Sequence, residues 1–133
     1  MIKRLSLVLA AAVAIAGTSA IAQANIKRVA VLNDTDTCAV VTVWEQVDHG
    51  EYVLLQGRGP HKMRPRMDVD FPTTGTTKRH VTAVRVRAEM KKNADCTGAT
   101  VSDLDQPRHS SSSGAEYEEA VLLGTKGGYR IKY

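Results

Sequence analysis

His80-Val81-Thr82-Ala83-Val84-Arg85-Val86-Arg87-Ala88-Glu89-Met90 carries the clearest periodicity of the chain. Thr82, Val84, Val86, Ala88 and Met90 recur at every second position, with Arg85, Arg87 and Glu89 between them. A helix would repeat near 3.6 residues, so a period of two predicts a strand with one buried and one solvated face. The same rhythm extends outward in both directions. Val29 and Val31 alternate with Arg28 and Ala30, and Tyr129, Ile131 and Tyr133 alternate with Arg130 and Lys132. Cys38–Val43 is an almost continuous β-branched run and predicts a strand covered on both faces. Glu116–Leu123 has the length of one or two helical turns, but Gly124 cuts a helix short there and a strand fits better.

Turn chemistry separates these runs. Asp48-His49-Gly50 predicts a hairpin between Cys38–Val47 and Tyr52–Leu55. Gly57-Arg58-Gly59-Pro60, Pro72-Thr73-Thr74-Gly75, Lys92-Asn93-Ala94-Asp95 and Gly127-Gly128 punctuate the rest. Ser110–Gly114 is polar enough to stay a loop. The pattern predicts an all-β fold, a single antiparallel β-sandwich of seven or eight short strands. It is immunoglobulin-like in architecture but not in sequence. Trp44 shares a strand with Cys38, and no tyrosine stands two places before Cys96.

Residues 1–24 have the layout of a secretory signal peptide. Lys3 and Arg4 precede an apolar stretch from Leu5 to Gly17, and Ala22-Gln23-Ala24 supplies a cleavage site after Ala24. The expected product is one domain, 25–133, secreted or periplasmic, with no transmembrane span in the mature chain. Removing Lys3 and Arg4 reduces the formal charge of +4 to +2. That balance argues against a nucleic-acid partner. Cys38 and Cys96 are the two cysteines. In an oxidising compartment they are expected to pair within the chain.

One segment is dense in charge. Arg58-Gly59-Pro60-His61-Lys62-Met63-Arg64-Pro65-Arg66 packs five basic or titratable groups into nine residues. An extended course would set Lys62, Arg64 and Arg66 on one face, with Arg58 nearby and His61 turned away. Such a row suits phosphate or sulfate groups of an anionic polysaccharide or lipopolysaccharide. Its bland alternative is an edge strand protected from aggregation by charge and proline, with Asp68 and Asp70 neutralising much of it. Arg85 and Arg87 would enlarge the basic face if their strand lay alongside.

Other chemistry finds less support. His49, His61, His80 and His109 fall in separate turns or strand ends, so neither a metal site nor a cofactor is expected. No nucleophile elbow or phosphate-cradling glycine loop occurs. Trp44 lies in the most apolar run and is expected in the core. Asn33-Asp34-Thr35 matches a glycosylation sequon and equally spells a turn. Tyr129–Tyr133 resembles the terminal strand of outer-membrane β-barrel proteins over about five residues, a length that suits an ordinary last strand as well. Pilus subunits carry a penultimate aromatic where this chain has Lys132. The sequence favours a non-catalytic binding or interaction module, for an anionic envelope ligand or another envelope protein. An assembly subunit pairing through an edge or C-terminal strand is the alternative, and a small secreted enzyme ranks third. The oligomeric state is not encoded in any pattern found.

Overall fold

The expected strand at Val81 forms, and it lies at the centre of the larger of two sheets. A computed structural model describes residues 25–55, 59–110 and 116–133. The signal-peptide reading of 1–24, Arg58 and most of the serine loop lie outside these residues. The described chain forms nine strands: β1 (Arg28–Asn33), β2 (Ala39–Val47), β3 (Tyr52–Leu54), β4 (His61–Met63), β5 (Asp68–Pro72), β6 (Val81–Lys91), β7 (Thr100–His109), β8 (Tyr117–Thr125) and β9 (Gly128–Lys132). One sheet runs β5-β1-β8-β9. The other runs β3-β2-β6-β7, and β4 also pairs with β2. β3 takes Trp44 to Gln46 and β4 takes Ala39 to Val41, so the two short strands share one edge of β2.

The core fills the space between the sheets. Val29 and Val31 of β1, Phe71 of β5 and Leu122 of β8 meet Val41 and Val43 of β2 and Val84, Val86 and Met90 of β6. Each set holds one parity of its strand, the geometry a pleated sheet imposes on a one-sided core. β9 turns Tyr129, Ile131 and Tyr133 onto the same core, as an amphipathic last strand should. The Tyr133 hydroxyl donates to the Gln106 carbonyl at 2.7 Å, tying the edge of one sheet to that of the other. Burial pushes this phenol's pKa above its ordinary value.

Three details differ from the sequence reading. β1 and β8 pair in parallel while the other pairings are antiparallel. Parallel neighbours need a long crossover, and the whole five-stranded sheet supplies it. β2 is covered on one face only: Val40, Thr42 and Trp44 are half-exposed. Its β-branched residues therefore reflect strand preference rather than two-sided burial. β8 also continues through Gly124, which sits at φ 111. A Cβ there would meet the Gly128 carbonyl oxygen at 2.1 Å. Gly124→Ala is accordingly expected to cost about 2 kcal/mol, read as a lower urea midpoint at unchanged slope.

The expected hairpin forms, with a tight turn centred on Asp48 and His49 inside the connection from β2 to β3. Asp48 and His49 both take positive φ, 48° and 58°, and the Gly50 amide donates to the Val47 carbonyl at 2.9 Å. That is the type I′ geometry whose twist matches its flanking strands. Cys38 and Cys96 form the expected disulfide, with Cα atoms 4.9 Å apart. It joins the start of β2 to the β6–β7 turn, at one end of a single sheet. An immunoglobulin bridge crosses between sheets.

Candidate functional site

The basic segment begins as expected and then departs from an extended course. Lys62 sits on β4 opposite Val40, with its side chain exposed. His61 places its ring edge-on to Phe71, centroids 5.2 Å apart, and its Nε2 is buried without a hydrogen-bond partner. Beyond Met63 the chain turns. The Met67 amide donates to the Arg64 carbonyl at 3.2 Å, Pro65 occupies the second turn position, and Arg66 takes φ 70 at the third. This is a type II arrangement with arginine where glycine is usual. Two contacts hold Arg66 there: its amide donates to the Asn33 carbonyl at 2.8 Å, and its guanidinium pairs with Asp34.

The single-face row of Lys62, Arg64 and Arg66 is thus replaced by a turn. Lys62 stays on the strand, Arg64 opens the turn, and Arg66 swings onto the loop between β1 and β2. Arg58 lies outside the described residues. Asp34 neutralises Arg66, whereas Asp70 is engaged by Arg28 at 3.5 Å. Lys62 and Arg64 are exposed and form no ion pair among the described residues. Arg64 does reach the disulfide turn electrostatically. The Asp95 carboxyl is held below its usual pKa chiefly by hydrogen bonds from the Thr97 hydroxyl (2.5 Å) and amide (3.1 Å), with the Arg64 charge adding to them.

Arg85 and Arg87 do not extend this surface. β2 separates β6 from β4, and both guanidiniums fold toward β7. Arg85 Nε donates to Asp105 at 2.7 Å, and Arg87 donates to Asp103 at 3.0 and 2.7 Å. Those hydrogen bonds raise both arginine pKa values and lower that of Asp103. Trp44, expected in the core, lies on this outer face. Arg85 Cζ sits 5.1 Å from the Trp44 ring centroid and 5.9 Å from that of Tyr52. Trp44, Arg85, Arg87, Asp103 and Asp105 border a shallow depression of about 410 Å³. Its charges are mutually satisfied, so it offers no uncompensated sign to a ligand.

Two inward carboxylates escaped the sequence reading. Glu45 is 3 % exposed, accepts from the Thr74 amide at 2.9 Å and lies 3.7 Å from Arg79. Glu118 is also buried and lies 3.3 Å from Arg108. Glu45 shares its parity with Val41 and Val43, but Val40 is apolar at the other parity, so local sequence did not announce which face was inward. The four imidazoles do not converge: His49 is in the β2–β3 turn, His61 on β4, His80 before β6 and His109 at the end of β7. Among the described residues no three His, Cys, Asp or Glu side chains gather in a way that could hold a metal ion.

These features define a class by fold: a small all-β sandwich, bridged at one end by a disulfide and bearing an exposed basic turn beside it. No family model and no curated protein sequence matches the chain. Among solved structures it is similar to listeriolysin O, with a TM-score of 0.49, 11 % identity, and coverage of 80 % of this chain and 22 % of that one. A non-hemolytic pneumolysin from Streptococcus pneumoniae gives 0.48, 15 %, 80 % and 22 %. A disulfide-locked intermedilysin gives 0.49, 12 %, 80 % and 23 %. The chain spans about a fifth of the length of these structures.

Proposed function

We propose that this protein is an exported, single-domain, non-catalytic binding module whose basic turn engages an anionic envelope ligand. An anionic polysaccharide or lipopolysaccharide fits that chemistry. The observation that carries the reading is the state of Lys62 and Arg64. Both are exposed and free of ion pairs among the described residues, whereas Arg66, Arg85 and Arg87 beside or behind them are neutralised. Arg58 adjoins them in sequence. Export rests on residues 1–24, and the disulfide suits an oxidising compartment.

The test is binding of the oxidised protein to immobilised lipopolysaccharide and to a sulfated polysaccharide across a salt series. Lys62→Glu/Arg64→Glu runs beside it, because Arg66 is needed to hold its own turn. Binding is expected to weaken with salt and to drop about tenfold in the double variant. Binding to neither polymer at low salt, with folding intact, would remove the reading.

A second reading, an assembly subunit, draws on β3. Val53 and Leu54 are 60 % and 45 % exposed on this short edge strand, where another chain could add a strand. It is the outcome indicated if sedimentation shows concentration-dependent oligomers that Val53→Lys/Leu54→Lys disperses.

A further inference from the structure

We propose that the loop end of the sandwich holds a pocket for one tetrahedral oxyanion, a phosphate or sulfate group, gripped by Lys91, Lys92 and Lys126. This rests on the anionic-ligand reading and gives it a second point of contact. The pocket is a hollow of about 90 Å³ walled also by Thr37, Val101 and Tyr129. Pockets for drug-sized molecules run to roughly 300–1,000 Å³, so this one suits a single small group rather than a whole sugar or peptide.

Its backbone is firmly built. The Thr37 hydroxyl donates to the Lys91 carbonyl at 2.5 Å, the Lys91 amide to the Cys38 carbonyl at 2.8 Å and the Lys92 amide to the Ala99 carbonyl at 3.0 Å. Lys91 Nζ donates to Thr100 Oγ1 at 3.0 Å. Lys126 comes from the tight turn between β8 and β9. None of the three lysines makes an ion pair among the described residues.

Three lysines and one acid, Asp36, therefore line the hollow. The Tyr129 hydroxyl donates to Asp36 at 3.2 Å. Burial first, then the Asp36 charge, raises the Tyr129 pKa, so this phenol stays protonated at neutral pH. Compact ammoniums, each with three donors, match an oxyanion with three free oxygens. The loop from Asn33 to Thr37 links this pocket to the basic turn: Asp34 takes Arg66 on one side, and Asp36 takes Tyr129 on the other. A polymer bearing several phosphates or sulfates could occupy both.

The experiment is an amide NMR titration of the oxidised protein with inorganic phosphate, inorganic sulfate and chloride at matched ionic strength. Saturable shifts at Lys91, Lys92, Val101 and Lys126 with phosphate or sulfate, absent with chloride, are expected. Lys92→Ala/Lys126→Ala should abolish them, and Asp36→Asn should tighten binding several-fold, a gain that a purely structural role would not produce. Shifts that fail to saturate, that chloride reproduces, or that survive Lys92→Ala/Lys126→Ala would overturn the pocket. Competition of lipopolysaccharide and of a sulfated oligosaccharide against the bound inorganic anion then identifies the natural carrier. Polymer binding that falls in Lys62→Glu/Arg64→Glu but not in Lys92→Ala/Lys126→Ala overturns the pocket as a second point of contact and leaves the envelope-ligand reading standing. Saturable inorganic binding with no polymer binding overturns the envelope-ligand reading alone.

Discussion

Replacing Cys38 and Cys96 together by alanine lowers the unfolding free energy by about 4 kcal/mol. The bridge closes a loop of 58 residues in sequence separation, and the chain-entropy cost of that closure falls on the unfolded state. In the folded state the ends are already neighbours without it. The Lys91 amide donates to the Cys38 carbonyl at 2.8 Å, and the Cys96 amide closes its own turn onto Asn93 at 3.1 Å. The native geometry should therefore persist on reduction, and the loss should come mainly from a less constrained denatured ensemble. For a small domain with a total stability of about 5–15 kcal/mol, that is a large fraction. Urea unfolding of the oxidised protein, the same protein in reductant, and the double-alanine variant checks it. The last two should coincide and lie well below the first. A drop under about 1 kcal/mol would show that the denatured chain is already held together there by other means.

How much of this was visible in the sequence depended on whether local pattern or distant pairing set the structure. β6 and β9 were legible because apolar parity holds from Val84 to Met90 and from Tyr129 to Ile131, although Val81 and Ala83 are buried as well at the start of β6. The Cys38–Cys96 bridge was legible because the chain holds two cysteines, which pair readily in the oxidising compartment that the reading of residues 1–24 implies. β7 was harder: its Thr-Val-Ser-Asp-Leu-Asp-Gln-Pro-Arg-His sequence has few apolar anchors, and it is held as a strand by its pairing to β6. The side chosen by Trp44 could not be read, since Val40 to Val43 is apolar at both parities and local sequence leaves the two faces equivalent. The turn at Arg66 carries no glycine or asparagine to announce a positive φ, and the contacts that hold it come from Asn33 and Asp34, over thirty positions earlier. Three lysines from two hairpins meet only after the loops fold. Charge density singled out Lys62 and Arg64, and the extended course expected for that row ends where the chain turns at Pro65 and Arg66.

Asn33→Asp is expected to destabilise the protein by about 4 kcal/mol at neutral pH, although it changes a single atom type. Asn33 is fully buried at the end of β1 and uses its whole hydrogen-bonding capacity. Nδ2 donates to the Thr37 and Met63 carbonyls, both at 2.8 Å. Oδ1 accepts from the Thr35 amide at 3.2 Å and the Thr35 hydroxyl at 2.6 Å. One side chain thereby shapes the β1–β2 loop and ties it to β4, the two segments that frame the basic turn. An ionised aspartate has the same outline but accepts only. It would set a buried charge against two carbonyl oxygens, each left unpaired at about 1–3 kcal/mol. Burial and those oxygens would raise the folded-state pKa of the new carboxyl above its unfolded value of about 3.9. Its contribution is then least unfavourable below the unfolded value and worsens as pH rises through the folded one. The deficit relative to wild type should accordingly be smaller at pH 4 than at pH 7, where the ionised form prevails in the unfolded chain. Paired urea titrations of wild type and variant at the two pH values decide it. A deficit of equal size at both would mean that the lost donor, rather than the buried charge, sets the cost. A deficit below about 1 kcal/mol would mean that the loop and β4 are held without Asn33. With both amide hydrogens engaged, the Asn33 sequon cannot act as a glycan acceptor once the chain has folded. Its three residues instead begin the β1–β2 loop, in which Asp34 pairs with Arg66 and Asp36 accepts from the Tyr129 hydroxyl.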